Sequence, residues 1–569
     1  MPLTDSYEWA LSNMPQDVMK DVPFSNYQYN YINDIGSGIY NNQSLSLVQY
    51  DLSSIFNSGS FTNTQSHYIV TPLIRVAEAF NAGTHVDLTA SSFYLTSLKN
   101  LNVSIVHQAD LILNGKTVHQ LQPYTGLHKC IKLASQLSVD DLNLYGSILG
   151  MQKMDNPDSM TFTSTTGLVN DARSKPSIAN NYVNGTPTQQ AFGGANIQGA
   201  GVANDAIQQK VLLNKYALDS ANTTSSYQRL NQVTDGNKLL AEFQPQFQII
   251  GGVAIWFDYA IIFVKDLLDA MEHIGLTRRM DGILRLYINT GFCSVTCPSI
   301  GELRFANVNS TFTDVCPLMI NNNRSALPVD TATSINAGLF IGSAPNYSFA
   351  GATGTSNWGG IASPLRITRY YFTQIVLQPT KALEYLSANQ AKTVIYDSVL
   401  YNTFTNIRSG GNFSQLIQSG VTNLKNVIIV PFISASYAGF PAYKSPFDPA
   451  GSCAGHPISL TNLQCAIGGT NQLATTLYYS YEEYIQQISK YNKQSSSEYG
   501  VESGLWSPSF WANNRFYVIA IRSTEDDMNT PRNVTISFIN NCNLDIDILV
   551  FCEYEEKLVI SAGTGIITK

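Results

Sequence analysis

The chain has 569 residues, and its titratable and nucleophilic groups are widely spaced, so that each familiar catalytic pattern stops short of completion. Gly115-Lys116-Thr117 has the closing triplet of a phosphate-binding loop. That loop needs a glycine five residues before Gly115, where Asp110 stands, and it must open a helix, whereas a strand-like run follows. A nucleotide site is therefore excluded. Gly451-Ser452-Cys453-Ala454-Gly455 carries its serine one place too early for a nucleophile elbow. The histidines His67, His85, His107, His119, His128, His273 and His456 include no HExxH and no close pair with zinc-ligand spacing. The acidic clusters are Glu482-Glu483, Glu525-Asp526-Asp527, and Glu553 with Glu555-Glu556. Glycoside hydrolysis needs two carboxylates about 5–10 Å apart across a cleft, and neighbouring acids like these are more often solvated faces. The cysteines Cys130, Cys293, Cys297, Cys316, Cys453, Cys465, Cys542 and Cys552 form no CxxC pair and read as free thiols packed as small apolar side chains. No catalytic, cofactor-binding or metal-ligating residue is expected, and no enzymatic activity.

The elements around these residues are those of a β protein. Leu101, Val103 and Ile105 alternate with polar neighbours, as do Leu284, Leu286 and Ile288, Val534, Ile536 and Phe538, and Leu544, Ile546 and Ile548. This period of two predicts half-buried strands. Asn114-Gly115 between two such runs predicts a two-residue hairpin, because both turn positions need positive φ. The apolar run from Phe247 to Val264 contains Gln248, Gly251, Gly252 and Asp258, and is expected to form two buried strands rather than a membrane helix. Helical periodicity is confined to 126–149, 264–274 and 480–491. Residues 155–237 and 322–363, rich in Gly, Asn, Ser, Thr and Ala, are expected to be long surface loops.

A weak internal repeat organises these elements. Ser97-Leu98-Lys99-Asn100-Leu101 returns as Ser459-Leu460-Thr461-Asn462-Leu463. Each copy is preceded by a related apolar phrase, HYIVTPLIRVAEAFNAG from His67 and KNVIIVPFISASYAG from Lys425, and followed by a helix led by Tyr124 or Tyr481. Duplication of one β domain is the expectation.

Composition narrows the function. Charged residues make up 13% of the chain, against about 25% in ordinary soluble proteins, with 44% hydrophobic residues and a net charge of −8. A disordered chain is excluded. Only 33 Lys and Arg are spread along the sequence, so the general surface is not that of a nucleic-acid binder. The start, MPLTDSYEWALSNM, has acidic residues and no apolar segment behind a positive cap, and no secretory signal is expected.

A series of phrases in residues 250–560 resembles the double jelly-roll major capsid proteins of the adenovirus-like lineage, in particular those of polinton-like viruses, adintoviruses and virophages. In order, they are Arg366-Ile367-Thr368-Arg369-Tyr370-Tyr371 leading to Leu377-Gln378-Pro379; Lys392 to Asp397; Asn423-Leu424-Lys425-Asn426 leading to Ile429-Val430-Pro431-Phe432; and Ser445-Pro446-Phe447-Asp448. Tyr481-Glu482-Glu483-Tyr484, Ser503-Gly504-Leu505, Trp511 and Arg515-Phe516-Tyr517-Val518 complete the series, and the 263–268 helix with Arg278-Arg279 matches upstream. Phe516 stands where the pattern has Tyr, and Ile519-Ala520 where it has an acidic residue.

The resemblance implies an all-β fold of two consecutive eight-stranded antiparallel jelly rolls with short inserted helices. Residues 1–24 would be an N-terminal arm, 25–298 the first roll and 299–569 the second. It implies a structural protein that self-assembles into pseudo-hexagonal homotrimeric capsomers, forming the icosahedral shell of a DNA virion. Its partners would be further copies of itself, with penton and minor or cement capsid proteins, and sequence-specific nucleic-acid binding is not implied. The alternative reading is a secreted or surface carbohydrate-binding β-sandwich protein, a lectin or adhesin.

Overall fold

The computed structural model describes Phe24 to Thr568 in segments; the principal stretches outside the description are 1–23, 87–95, 151–245, 308–316, 321–332, 345–361, 435–457, 493–503 and 522–529. The expected N-terminal arm and the 155–237 loop thus lie outside the described residues.

Eight strands form the first roll: β1 (Phe24–Asn33), β2 (Leu45–Asp51), β3 (Tyr68–Asn81), β4 (Val106–Leu113), β5 (Lys116–Leu121), β6 (Val253–Phe263), β7 (Gly282–Asn289) and β8 (Arg369–Leu377). They pair in two antiparallel sheets, β1-β8-β3-β6 and β2-β7-β4-β5. The second roll uses β9 (Lys392–Ile407), β10 (Asn412–Val421), β11 (Leu424–Ile433), β12 (Leu460–Ile467), β13 (Thr470–Asn471), β14 (Tyr517–Ala520), β15 (Arg532–Asn540) and β16 (Ile546–Ile560). Its sheets are β9-β16-β11-β14 and β10-β15-β12-β13. Both rolls therefore have the order 1-8-3-6 facing 2-7-4-5, the two interleaved Greek keys of a jelly roll, and the fold is a double jelly roll.

Local chemistry explains the repeated parts. In β2 and β7 every second side chain is buried, which places Val48, Tyr50, Leu284, Leu286 and Ile288 in the sandwich. Both hairpins between the fourth and fifth strands turn on two left-handed residues, Asn114 and Gly115 at φ 49° and 73° and Gly468 and Gly469 at φ 57° and 88°. The related phrases around Pro72 and Pro431 are β3 and β11, the third strand of each roll. After the fifth strand comes a helix in each case, α1 (Thr125–Gln136) and, in the second roll, Tyr481–Asn492. Besides the single turn Ser53–Phe56, the named helices of the described residues are α2 (Val139–Leu149), α3 (Val264–Leu267), α4 (Asp269–Ile274) and α5 (Pro379–Ala388), so that Tyr481–Asn492 is α6. The run at 247–264 forms Gln246–Ile250 paired antiparallel with β6, as two strands.

Three expectations change. Asn102–Ile105 is a buried 3₁₀ turn rather than a strand. Leu101 enters it at φ 66°, and the Asn102 amide donates to the carbonyls of Ile148 and Ile261, 3.0 Å each, which ties the segment to α2 and β6 instead of to a ladder. Within 322–363, Thr333–Ile341 is a strand paired with β3 residues 73–81. The break expected between residues 298 and 299 runs through the strand Gly291–Ser299, and both Thr333–Ile341 and β8 pair with β3 beyond it. The reason is a long insertion between β7 and β8, which carries the closing strand of the first roll past the midpoint of the chain.

Candidate functional site

Among the described residues no group of three or more His, Cys, Asp or Glu is arranged to hold a metal ion. The richest concentration of polar chemistry is instead the seam where the first roll rests on the second. Strand β5 and helix α1 supply one side. Strands β9, β11 and β16 supply the other.

Helix α1 is the centre of this contact. Its apolar residues Leu127, Cys130, Ile131 and Ala134 recur at helical spacing and enter the common core, while His128, Lys129 and Lys132 lie on the remaining faces. His128 Nε2 donates to Glu553 Oε1 of β16 at 2.5 Å, with both side chains buried, and the Asn426 amide of β11 donates to the other Glu553 oxygen at 3.1 Å. Lys129 and Lys132 reach Asp269 of α4 at 2.7 and 3.0 Å. Lys132 also lies 3.5 Å from Asp397 of β9, which pairs at 2.5 Å with Lys425, and Lys425 in turn reaches Glu555 at 3.2 Å. Tyr396 Oη of β9 lies 2.5 Å from the carbonyl of Val118 across the seam and 2.8 Å from the Glu556 carboxylate on its own side, and its single proton serves these two acceptors. Its ring packs on His119, and Tyr124 packs on Tyr401. At the end of α1 the Leu505 amide donates to the Ala134 carbonyl at 2.9 Å.

The electrostatics follow from burial opposed by pairing. Burial alone would raise the Glu553 carboxyl, but the charges of Lys132 and His128 and the two hydrogen bonds outweigh it and hold the group at about 2. Burial likewise opposes ionisation of Asp269, and Lys129 and Lys132 override it, keeping that carboxyl well below the usual range. Asp266, one turn away, has weaker compensation; burial raises it to about 6. Such satisfied and paired groups suit a fixed joint.

The residues singled out by chemistry thus part company. Glu553, Glu555 and Glu556 are all engaged in or beside the seam; Glu482 and Glu483 begin α6; Glu525, Asp526 and Asp527 lie outside the described residues. His67, which is wholly buried, lies 2.7 Å from both Thr62 Oγ1 and Tyr370 Oη, and burial lowers its pKa to about 3. Cys130, Cys465, Cys542 and Cys552 are buried free thiols, and burial pushes Cys465 up to about 12. The side chains of Cys293, Cys297, Cys316 and Cys453 are outside the description. Lys129, Lys132, Asp269, Asp397 and Lys425 were not singled out from sequence. The one available signal was two lysines three apart in an otherwise apolar helix.

A second feature is an exposed aromatic face on the first roll. Tyr27, Tyr29 and Tyr31 of β1 are 45%, 57% and 50% exposed. Tyr31 lies against Tyr371 of β8, with the Arg369 guanidinium over its ring, and Tyr371 stacks on Tyr68 of β3 at 4.8 Å. Among the described residues strand β1 pairs with β8 on one side only, which makes it an edge of the described sheet.

No family model and no curated protein matches the chain. Among solved structures it is similar to the mavirus major capsid protein at 10% identity and a TM-score of 0.38, covering 98% of this chain and 93% of that one. It is similar to the Faustovirus major capsid protein at 9% identity and a TM-score of 0.39, covering 98% and 94%. VP54 of PBCV-1, fitted into a reconstruction of the virophage Sputnik, matches at 9% identity and a TM-score of 0.38, covering 96% and 97%.

Proposed function

We propose that this chain is a viral major capsid protein that self-assembles into pseudo-hexagonal homotrimeric capsomers, which tile an icosahedral shell around a DNA genome. The observation that carries this reading is the tandem repetition of one strand order in one chain, with the two copies joined by a buried seam. Such a body presents two similar wall units side by side, so three copies offer six. The residue phrases that resemble double jelly-roll capsid proteins agree with it, as does the low charge, because interface cores are depleted in Lys, Glu and Asp.

The role is structural, with binding and assembly in place of turnover. The first unit runs from β1 to β8 and the second from β9 onward, with α5 between them. Capsomer interfaces of about 2,000 Å² or more would be permanent, with weaker contacts between capsomers and to penton and minor capsid proteins, and the protein resides in the virion. The mild acidity leaves genome neutralisation to other basic components. Residues 1–24 act as an arm docking on a neighbour. Light scattering after size exclusion tests the central point: particles near three times 62.5 kDa, or shells in negative stain, are expected, and a stable monomer under all assembly conditions overturns it.

A further inference from the structure

The edge of a sheet presents main-chain N–H and C=O groups to any strand that approaches, and folded proteins blunt such edges with charge, bulges, cover or brevity. The other edges of the two rolls each show one of these devices. Strand β2 carries Asp51, and its Gln49 carbonyl accepts from the Ile35 amide at 2.8 Å. Strand β5 opens with an exposed Lys116, while β9 contains Lys392 and Asp397 and lies in the seam. Two register shifts break β10, and β13 and β14 are only two and four residues long.

Strand β1 has none of these protections among the described residues. Its sequence, FSNYQYNYIN, contains no charged residue, no proline and no glycine, and seven of its ten residues are exposed, so no other element covers it. Its register with β8 shifts only between Phe24 and Asn26 and then runs unbroken to Asn33. On one face Tyr27, Tyr29 and Tyr31 stand two apart. On the other, the side-chain amides of Gln28 and Asn30 donate to Gln374 Oε1 of β8 at 3.0 and 2.5 Å, which fastens β1 to its inner neighbour. In an antiparallel ladder every second residue of such a strand turns both main-chain groups away from its partner, so the outer side of β1 is a long, regular template.

A cation beside this template is also unanswered. Arg369 of β8 reaches across to β1, where its guanidinium carbon lies 4.6 Å from the centre of the Tyr31 ring. Its Nε is buried without a hydrogen-bond partner, and no carboxylate pairs with it among the described residues. A strand added outside β1 would run about 4.8 Å from it, close enough for an acidic side chain beside Tyr31 to meet the guanidinium. Such a charge-assisted contact is among the stronger hydrogen bonds. A second copy laid edge to edge offers the same ten residues again, and they include no carboxylate.

We propose that β1 receives an extended segment of a different protein, which adds a strand to the first roll. The segment is β-branched or aromatic where it lines up with Tyr27 and Tyr29, and acidic where it passes Arg369. Main-chain pairing supplies affinity and the alternate side chains supply selectivity, as in other strand additions. The inference rests on the assembly proposed above for its setting, in which the segment belongs to a minor protein of the shell.

Peptide binding to the full chain, followed by fluorescence polarisation, tests it. The probe is a dye-labelled ten-residue peptide that alternates threonine and valine around one central glutamate. It is expected to bind, to lose binding when alternate amides are N-methylated, and to bind about ten-fold more weakly with glutamine in place of glutamate. Arg369→Gln is expected to bind the glutamate and glutamine peptides alike, and Tyr29→Lys, which places a charge on the exposed edge, to weaken both at least about ten-fold; unchanged thermal melts verify that each variant is folded. Failure of the glutamate peptide to bind, equal binding of its N-methylated form, or an undiminished preference for glutamate in Arg369→Gln overturns the proposal. A peptide of sequence FSNYQYNYIN that binds as tightly as the probe makes the occupant a second copy and also overturns it. Shells that form from a chain unable to bind the probe leave the capsid reading intact, whereas a chain that binds the probe and never assembles removes that reading and keeps the docking edge.

Discussion

Replacing Asp269 by leucine isolates the energetics of the seam. The carboxylate accepts from Lys129 at 2.7 Å and Lys132 at 3.0 Å, and Lys129 is 1% exposed. At an effective dielectric of about 20, each contact has a gross attraction of about 6 kcal/mol. The removal of two charges from water consumes most of that gain, and the measurable quantity is the cost of leaving one partner buried alone, about 3–5 kcal/mol. Lys132 retains Asp397 at 3.5 Å, so the burden falls on Lys129. Urea denaturation of the unassembled chain, followed by tryptophan emission, is expected to show Asp269→Leu destabilised by about 3–5 kcal/mol. Adding Lys129→Met removes the orphaned charge, and the double variant is expected to recover to within about 1 kcal/mol of the unaltered protein. A single variant costing less than about 1 kcal/mol, or a double variant no more stable than the single, would refute the claim that the cluster is held by buried pairing.

Acid should weaken the fold through two groups of opposite type. Lys132 and His128 hold Glu553 well below the ordinary glutamate value of 4.5, so its contribution is complete above 4.5 and is lost as the pH falls below it. His67 is kept neutral by burial, with its pKa lowered from 6.5 to about 3; its contribution is complete above 6.5, is lost as the pH falls toward 3, and amounts to about 5 kcal/mol at full loss. Asp266, raised to about 6, acts in the other sense and adds stability between pH 6 and 4. Denaturation midpoints measured from pH 7 to 3 should therefore fall steeply only below about 4.5, and a midpoint unchanged at pH 3 contradicts the assignment. Gly504 has φ 64°, and a Cβ there would sit 2.3 Å from the Ser135 carbonyl oxygen, whereas Gly469 at φ 88° has nothing within 4 Å. Gly469→Ala should cost about 1–2 kcal/mol from backbone strain alone, and Gly504→Ala distinctly more; equal melting shifts would contradict the close approach at α1. Arg75 of β3 pairs with Asp258 inside the first roll and lies over Trp256, so Arg75→Leu should cost about 3–5 kcal/mol by stranding that carboxylate, read in the same urea experiment.

The duplication was legible because most of its elements depend on local chemistry. Proline in the third strand, two positive-φ residues in the hairpin and a tyrosine at the helix start recur in both rolls, and the hairpin positions demand residues that tolerate a left-handed backbone. The five-residue match that first suggested the repeat is the part that slips: Ser97 to Leu101 precedes β4, whereas Leu460 already begins β12. The alternation at Leu101, Val103 and Ile105 misled because burial on all sides, beneath α1, erases the distinction between a strand and a tight turn. Pro379 at the start of α5 marks a helix entry that the short apolar pattern after it did not reveal. The boundary between the rolls was illegible for a different reason. Closure of the first sheet by β8 is a contact with β1, more than 300 residues away, and no local period reports it.

The seam shows why low charge in the composition was informative while the site itself was hidden. Its ionic partners come from α1, α4, β9, β11 and β16, separated by up to 425 residues, as His128 and Glu553 are. In sequence these groups read like solvated ones, whether single, as Asp397 is, or clustered, as Glu553 is with Glu555 and Glu556. With 13% charged residues in the chain, burying several in one joint leaves still fewer to keep the outer surface soluble. The aromatic face of β1 stands exposed under that same scarcity, with Tyr68 of β3 and Tyr371 of β8 half-buried beside it. A monomer would pair such a face with surrounding charge to prevent association. Here the only nearby cation over a ring is Arg369 on Tyr31 among the described residues of that face, so the first roll carries the composition of a surface meant to be covered, as the equivalent strands of the second roll already are.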